Sequence, residues 1–265
     1  MPIAQINGQG IYYEDSGGAD KPAVMFMHGF LFDQSMFDAQ VEALQADYRC
    51  VRFDARALGQ TQWDGKPFSL YDTGADCIGL MDHLGIQRAA MVGMSQGGYA
   101  LVRMLVKYPE RITAAVFIST YNGVDTADVK EVYRSMRDAW ASPESRAGVI
   151  DVFSNLFLGA DEVQRAKWRP MWNQIPPTNV FHGMNNLIDR DDVTPDNMKA
   201  VTIPALVMHG DADQGIPMAL GEALHRMLGN SKGFVPIPGG THAASLVNPA
   251  ATNAPLKAFL DEYAR

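Results

Sequence analysis

Ala89-Ala90-Met91-Val92-Gly93-Met94-Ser95-Gln96-Gly97-Gly98-Tyr99-Ala100-Leu101 is the stretch on which the fold turns. An apolar run of strand length ends at Val92. Leu101, Met104, Leu105 and Tyr108 then recur at the i, i+3, i+4, i+7 spacing of one helix face. Between them lies Gly-x-Ser-x-Gly. This is a sharp strand-to-helix turn with a strained central residue, and its neighbours must be small. Such a turn lifts the Ser95 hydroxyl into a cleft above a sheet. It also leaves the Gln96 N–H at a helix N-terminus, positioned to stabilise an oxyanion. The pattern alone arises by chance in about one chain in ten of this length, at roughly 7% Gly and Ser usage. The strand–turn–helix setting is therefore what favours a nucleophilic Ser95 over a glycine-rich structural turn.

Outward from this point, further apolar runs read as strands buried on both faces: 23–27, 49–53, 114–118 and 205–208. Helical patterns lie between most of them, which predicts βαβ units and a mostly parallel sheet. Residues 5–8 and 10–14 read as a hairpin around a Gly-rich turn. The alternation breaks between Tyr121 and Met198. There, amphipathic helices are expected around Val129, Val132, Met136 and Ala139, and around Val149, Phe153 and Phe157. A weaker one surrounds Trp168 and is interrupted by Pro170 and Pro176-Pro177. The expected organisation is a core domain of residues 1–120 and 199–265 with a helical cap at 121–198.

The 265 residues carry 22 Lys and Arg against 30 Asp and Glu, a net charge of −8. At ~150 residues per domain this is one to two domains, large enough to fold without metal or disulfide. The acidic balance argues against nucleic acid and anionic membrane as partners. No run approaches the ~20 apolar residues of a membrane span, and residues 1–15 do not read as a secretory signal. Cys50 and Cys77 read as reduced structural thiols, so a cytoplasmic location is expected. Homo-oligomerisation is left open.

A serine nucleophile needs a base. His242, in the Gly-rich Pro238-Gly239-Gly240-Thr241-His242 loop before a C-terminal helix, is the candidate. His28 and His209 close strands and read as packed or wall residues; His83, His182 and His225 fall on helical patterns. The base needs an orienting carboxylate. Asp211 and Asp213 both follow the strand at 205–208, giving the chain order Ser…Asp…His. Asp213 is preferred, with Asp211 as a turn former. A second oxyanion donor is expected after an early strand, at the N–H of Phe30 in His28-Gly29-Phe30.

These residues resemble the α/β-hydrolase fold superfamily, in particular its small serine hydrolases with a helical cap. These include esterases, enol-lactonases, C–C bond hydrolases and cofactor-free haloperoxidases and perhydrolases. The resemblance covers nearly the whole chain. His28-Gly29-Phe30 looks like the oxyanion turn, and 54–61 like a D-x-R-G-x-G-x-S loop. The acid loop 210–217 matches G-x-x-D-x-x-x-P, which selects Asp213. Ala57, Thr61, Thr241 and Gln96 depart from the usual Gly, Ser, Gly and apolar residue. The resemblance implies an α/β-hydrolase fold, a mostly parallel central sheet flanked by helices with an inserted cap. A serine at the nucleophile position counts against the dehalogenases and epoxide hydrolases of this fold.

No phosphate loop, dinucleotide fingerprint or zinc pattern is present, so no cofactor and no metal are expected. Asp33-Gln34-Ser35 and the 189–192 charge run read as helix starts or solvated charge. The partner is then a small-molecule substrate, an ester or lactone of small to medium size. Met94, the Gln96 amide, Trp140, Phe153, Phe157, Trp168 and Trp172 are the candidates for lining its pocket. The aromatic residues serve equally well as cap core. Arg134, Arg137, Arg146, Arg165 and Arg169 are candidates for a substrate carboxylate, or simply solvated. Three functional readings stay open: esterase or lactonase; C–C (diketone) hydrolysis or perhydrolysis and halide oxidation on the same triad; and a ligand-binding receptor with slow turnover.

Overall fold

The computed structural model describes residues 2–264. The strands are β1 (Ile3–Ile6), β2 (Gln9–Asp15), β3 (Ala23–Met27), β4 (Arg49–Phe53), β5 (Ala89–Met94), β6 (Ile112–Ile118), β7 (Ala205–Gly210) and β8 (Ser231–Ile237). The helices of the first half are α1 (Asp38–Leu44), α2 (Leu70–His83) and α3 (Gln96–Lys107). Between β6 and β7 come α4 (Ala127–Ala141), α5 (Pro143–Leu158), α6 (Glu162–Asn173), α7 (Pro177–Ile188) and α8 (Pro195–Lys199). The chain ends with α9 (Met218–Met227), α10 (Ala244–Val247) and α11 (Pro249–Tyr263).

The strands form one sheet in the order β1-β2-β4-β3-β5-β6-β7-β8. β1 and β2 are antiparallel, joined at Asn7-Gly8, both with positive φ, as a two-residue hairpin turn requires. From β4 to β8 every pairing is parallel. The five apolar runs are all strands of this block. Their lack of alternation follows from burial on both faces. Val24, Phe26, Val92 and Val116 pack toward Leu256 and Leu260 of α11. Met25, Met27, Met91 and Phe117 pack toward Cys77 and Met81 of α2 and Leu101 and Met104 of α3. Each such side chain withdrawn from water contributes roughly 1.5–3 kcal/mol.

Three local expectations change. β8 is an edge strand that the sequence hides: Pro236 and Gly233 interrupt its pattern, and its residues are mostly half-exposed. An edge strand tolerates a missing N–H on its free side. Pro170 does not end a helix. It lies inside α6, which runs on to Asn173 and loses one ladder bond instead. The 189–192 run is not solvated charge throughout. Arg190 is buried and bonds Asp125, the Tyr121 hydroxyl and the carbonyls of Gly123 and Leu187. Asp191 pairs with Arg103, itself 1% exposed. These links fasten the end of the helical insertion to α3 and to the segment after β6. Asp33 does cap a short helix, through the N–H of Ser35.

Cys50 and Cys77 are free, buried thiols, pushed up to about 12 by burial. Among the described residues no helix is long and apolar enough to cross a membrane.

Candidate active site

Ser95 stands between β5 and α3 with φ 49° and ψ −114°, a left-handed conformation that is strained for a serine. Such a residue costs on the order of 1–3 kcal/mol. Its neighbours explain why the strain persists. A Cβ on Gly97 would lie 2.1 Å from the Met27 carbonyl oxygen, and one on Gly93 2.7 Å from that of Gly97. Only glycine lets α3 start this close to β3 and β5. The turn is tied down further by Ser95 N–H donating to the Ile118 carbonyl and Thr120 Oγ1 to the Ser95 carbonyl.

The three residues expected to act together are together. Ser95 Oγ lies 2.9 Å from His242 Nε2, and His242 Nδ1 lies 2.9 Å from Asp213 Oδ2. Asp213 accepts only, so Nδ1 carries the proton and Nε2 accepts from the serine hydroxyl. All three are buried. Asp213 Oδ1 accepts from the N–H groups of Gly215 and Ile216. Burial opposes ionisation of this carboxyl. The His242 imidazole, the two histidine N–H groups and the Ile216 N–H outweigh it and hold its pKa far below the ordinary range. Asp211 is not the local turn former expected: its carboxylate accepts from the distant Gly239 N–H and ties its own loop to the histidine loop.

His209 does more than pack. Its Nε2 lies 3.2 Å from Asp213 Oδ2 and 2.9 Å from the Ile216 carbonyl. Both partners are acceptors, so Nε2 carries a proton shared between them. Nδ1 is buried and has no partner among the described residues, so His209 donates to Asp213 through Nε2. The signal in the sequence was His-Gly-Asp-x-Asp itself: a polar side chain closing a buried strand four residues before the acid.

Thr241 also has a structural reason. Its hydroxyl donates to the Phe157 carbonyl at the end of α5, where Leu156 and Phe157 also accept from His242 and Ala243 N–H. The loop that carries His242 is thus fastened to the helical insertion. Phe157 packs on the imidazole, with ring centroids 4.9 Å apart.

On the oxyanion side, no protein group among the described residues accepts from the N–H of Phe30 or Gln96. Gly29 lets this turn approach the elbow, since a Cβ there would lie 2.6 Å from the Met94 sulfur. The Gln96 side chain does not line the cavity, because its amide donates to the Gly183 carbonyl of α7.

The cavity over Ser95 is small, about 190 Å³. Phe30, Phe153, Phe157, Tyr99, Tyr133 and Met184 are among its walls. Four expected pocket residues are elsewhere. Met94 is fully buried, its sulfur against Gly29. Trp140, Trp168 and Trp172 are 0% exposed, and the last two pack edge-on against Phe32 at 4.8 and 5.6 Å. They are core because aromatic bulk on a short insertion is needed to bury its helices. None of the five arginines reaches the cavity. Arg134, Arg137 and Arg169 pair with Glu131, Asp138 and Asp151, while Arg146 and Arg165 bond the Trp140 and Gly159 carbonyls. Four larger clefts, of about 490, 430, 390 and 280 Å³, hold none of the triad.

The sequence pattern of the alpha/beta hydrolase fold matches residues 22–249. The chain belongs to this family. Among curated alpha/beta hydrolase relatives, a non-heme haloperoxidase of Rhodococcus erythropolis is 26% identical, over 98% of this chain and all of that protein. A bifunctional esterase/perhydrolase of Acinetobacter calcoaceticus is 26% identical over 96% of this chain and 97% of its own. Among solved structures, the enol-lactonase from Burkholderia xenovorans LB400 superposes with a TM-score of 0.88 at 23% identity, covering 98% of this chain and 100% of that one. At that identity the likeness shows the hydrolase fold alone. Ala57 departs from the family's usual glycine yet keeps a glycine-like φ of 70°.

Proposed function

We propose that this alpha/beta hydrolase is a serine esterase or lactonase acting on a small, uncharged substrate. One observation carries the reading: Ser95, His242 and Asp213 form an unbroken hydrogen-bonded chain opening into an apolar 190 Å³ cavity. In this reading the helical insertion is a cap that closes the cavity. The volume lies below the ~300–1,000 Å³ usual for ligand pockets, which argues for a small acyl or alcohol group. No free charged side chain among its walls would compensate a substrate carboxylate, and burying one unpaired is strongly unfavourable.

His242 Nε2 takes the Ser95 proton as Oγ attacks the carbonyl carbon. Asp213 holds the Nδ1–H tautomer and stabilises the imidazolium. The oxyanion is received by the N–H groups of Phe30 and Gln96, each worth about 3–4 kcal/mol in the transition state. His242 then protonates the leaving alcohol, and water, deprotonated by His242, releases the acid from Ser95. Acid release at constant pH from a panel of neutral esters and lactones of graded length tests this. Turnover should peak at short chains and vanish in Ser95→Ala. A folded Ser95→Ala protein with the wild-type rate would refute the reading.

The esterase/perhydrolase relative favours a second outcome on the same acyl-enzyme. Hydrogen peroxide in place of water would yield a peracid and free Ser95. Peracid formed only when ester and peroxide are both present is its signature.

A further inference from the structure

Three phenols gather on one side of the Ser95 cavity, and only one is engaged. The Tyr121 hydroxyl accepts from Arg190 and donates to Asp125. Tyr99 and Tyr133 both line the cavity, and no protein group among the described residues bonds either hydroxyl. Tyr99 is 3% exposed. Tyr133 is half-buried, and neither hydroxyl is sealed from accessible space; each stands open on the cavity, where phenylalanine would offer no donor. Neither phenol ionises in the working range: burial pushes Tyr133 up to about 12 and Tyr99 well above its ordinary value. Both therefore remain O–H donors. The Arg190 guanidinium lies 4.3 Å over the Tyr99 ring, which polarises that hydroxyl further. Arg190 itself spends four of its five N–H groups on Asp125, Tyr121 and two carbonyls and is not among the walls of this cavity.

We infer that Tyr99 and Tyr133 form a donor subsite for an uncharged hydrogen-bond acceptor on the substrate: an ether, hydroxyl or second carbonyl oxygen set apart from the scissile carbonyl. The inference rests on the ester or lactone reading and narrows it. An unadorned alkyl ester leaves both donors unmatched; an acceptor-bearing one satisfies them inside an otherwise apolar cavity.

Two isosteric pairs test it: ethyl pentanoate with ethyl 3-methoxypropanoate, and butyl acetate with 2-methoxyethyl acetate. The quantity read is the ratio of kcat/KM within each pair, in the wild type and in Tyr99→Phe, Tyr133→Phe and the double variant. In at least one pair, the ratio of ether to alkyl substrate should fall roughly tenfold in the double variant, the loss expected for neutral hydrogen bonds. Ratios within twofold of wild type for both pairs, with turnover intact, would overturn the subsite. No turnover on any of the four would instead count against the ester reading. The same pairs are therefore titrated against Ser95→Ala with and without the two Phe substitutions. There, a Kd ratio that does not change would overturn the subsite without reference to catalysis. Thermal melts confirm that each variant is folded.

Discussion

On the sheet side of the cavity Ser95, His242 and Asp213 are each held from more than one direction. Asp213 accepts from two backbone N–H groups and two histidines, His242 is fixed by Asp213, Ser95 and the Leu156 carbonyl, and Ser95 is pinned in a strained turn. The opposite wall is built by α4 and α7; α7 is buried along one face, but α4 has little burial. Of the fifteen residues of α4 only Trp140 is buried, and its Val129, Val132, Tyr133 and Met136 line the cavity from exposed or half-buried positions. The contrast is physical. Charge development at Ser95 needs donors and acceptors fixed in advance. Enclosing an apolar group needs only shape, which valine and methionine supply with little constraint. Behind that wall lies a rigid aromatic core of Trp140, Trp168 and Trp172, which supports it without touching the cavity.

The largest effect expected from breaking the fixed side is Asp213→Asn. It loses the correct His242 tautomer and should reduce kcat roughly 10⁴-fold, measured on the best ester of the panel. The same carboxyl sets a pH dependence. Its folded pKa is depressed, so its stabilisation is present above the unfolded value of ~3.9 and lost as pH falls through the lower folded value. The gap in Tm between wild type and Asp213→Asn should therefore shrink as pH drops below about 4. A gap that widened there would contradict the depressed pKa.

The layering of the helical side is tested by two truncations. Trp172→Ala should cost about 3–5 kcal/mol and lower Tm by roughly 6–20 °C without moving the chain-length optimum. Met136→Ala should do the reverse: little change in Tm and an optimum shifted to longer chains. Exchange of these two outcomes would mean that the core and the pocket wall are assigned the wrong way round.

A smaller effect belongs to His209. His209→Leu removes one donor to Asp213 and should lower kcat/KM about tenfold. His209→Gln, which keeps an N–H near the same place, should recover most of it. Equal losses in both variants would reduce His209 to packing. The smallest effect is expected at Ala57. Glycine there relieves roughly 1–2 kcal/mol of left-handed strain but loses a buried methyl worth about 0.8 kcal/mol and gains unfolded-state entropy. Tm should move by less than about 3 °C.

The same contrast governs what could be read before the structure. The elbow was legible because sterics allow few residues there: Gly93 and Gly97 have no room for a Cβ. The placement of Asp213 and His242 beside Ser95 was legible because both lie in loops at the ends of strands, whose position follows from the sheet. The helical wall was not. Periodicity located α4 and α5 but not the rotation of either against the sheet, so Trp140 was named as a pocket candidate and Tyr133, which lines the cavity, was not. α7, which begins at Pro177 and supplies Met184 and Leu187, was hidden by its prolines. Tyr99 was hidden by its place on a buried helix, where a phenol reads as core.

The central claim is that Ser95 is the nucleophile. The most direct measurement is intact-mass and peptide mapping after reaction with a p-nitrophenyl alkylphosphonate, which transfers its phosphonyl group to an activated serine and releases p-nitrophenol. The expected result is one adduct per chain, on the peptide bearing Ser95, appearing at the rate at which ester turnover is lost and absent in Ser95→Ala. Turnover that persists with Ser95 fully modified would contradict the claim.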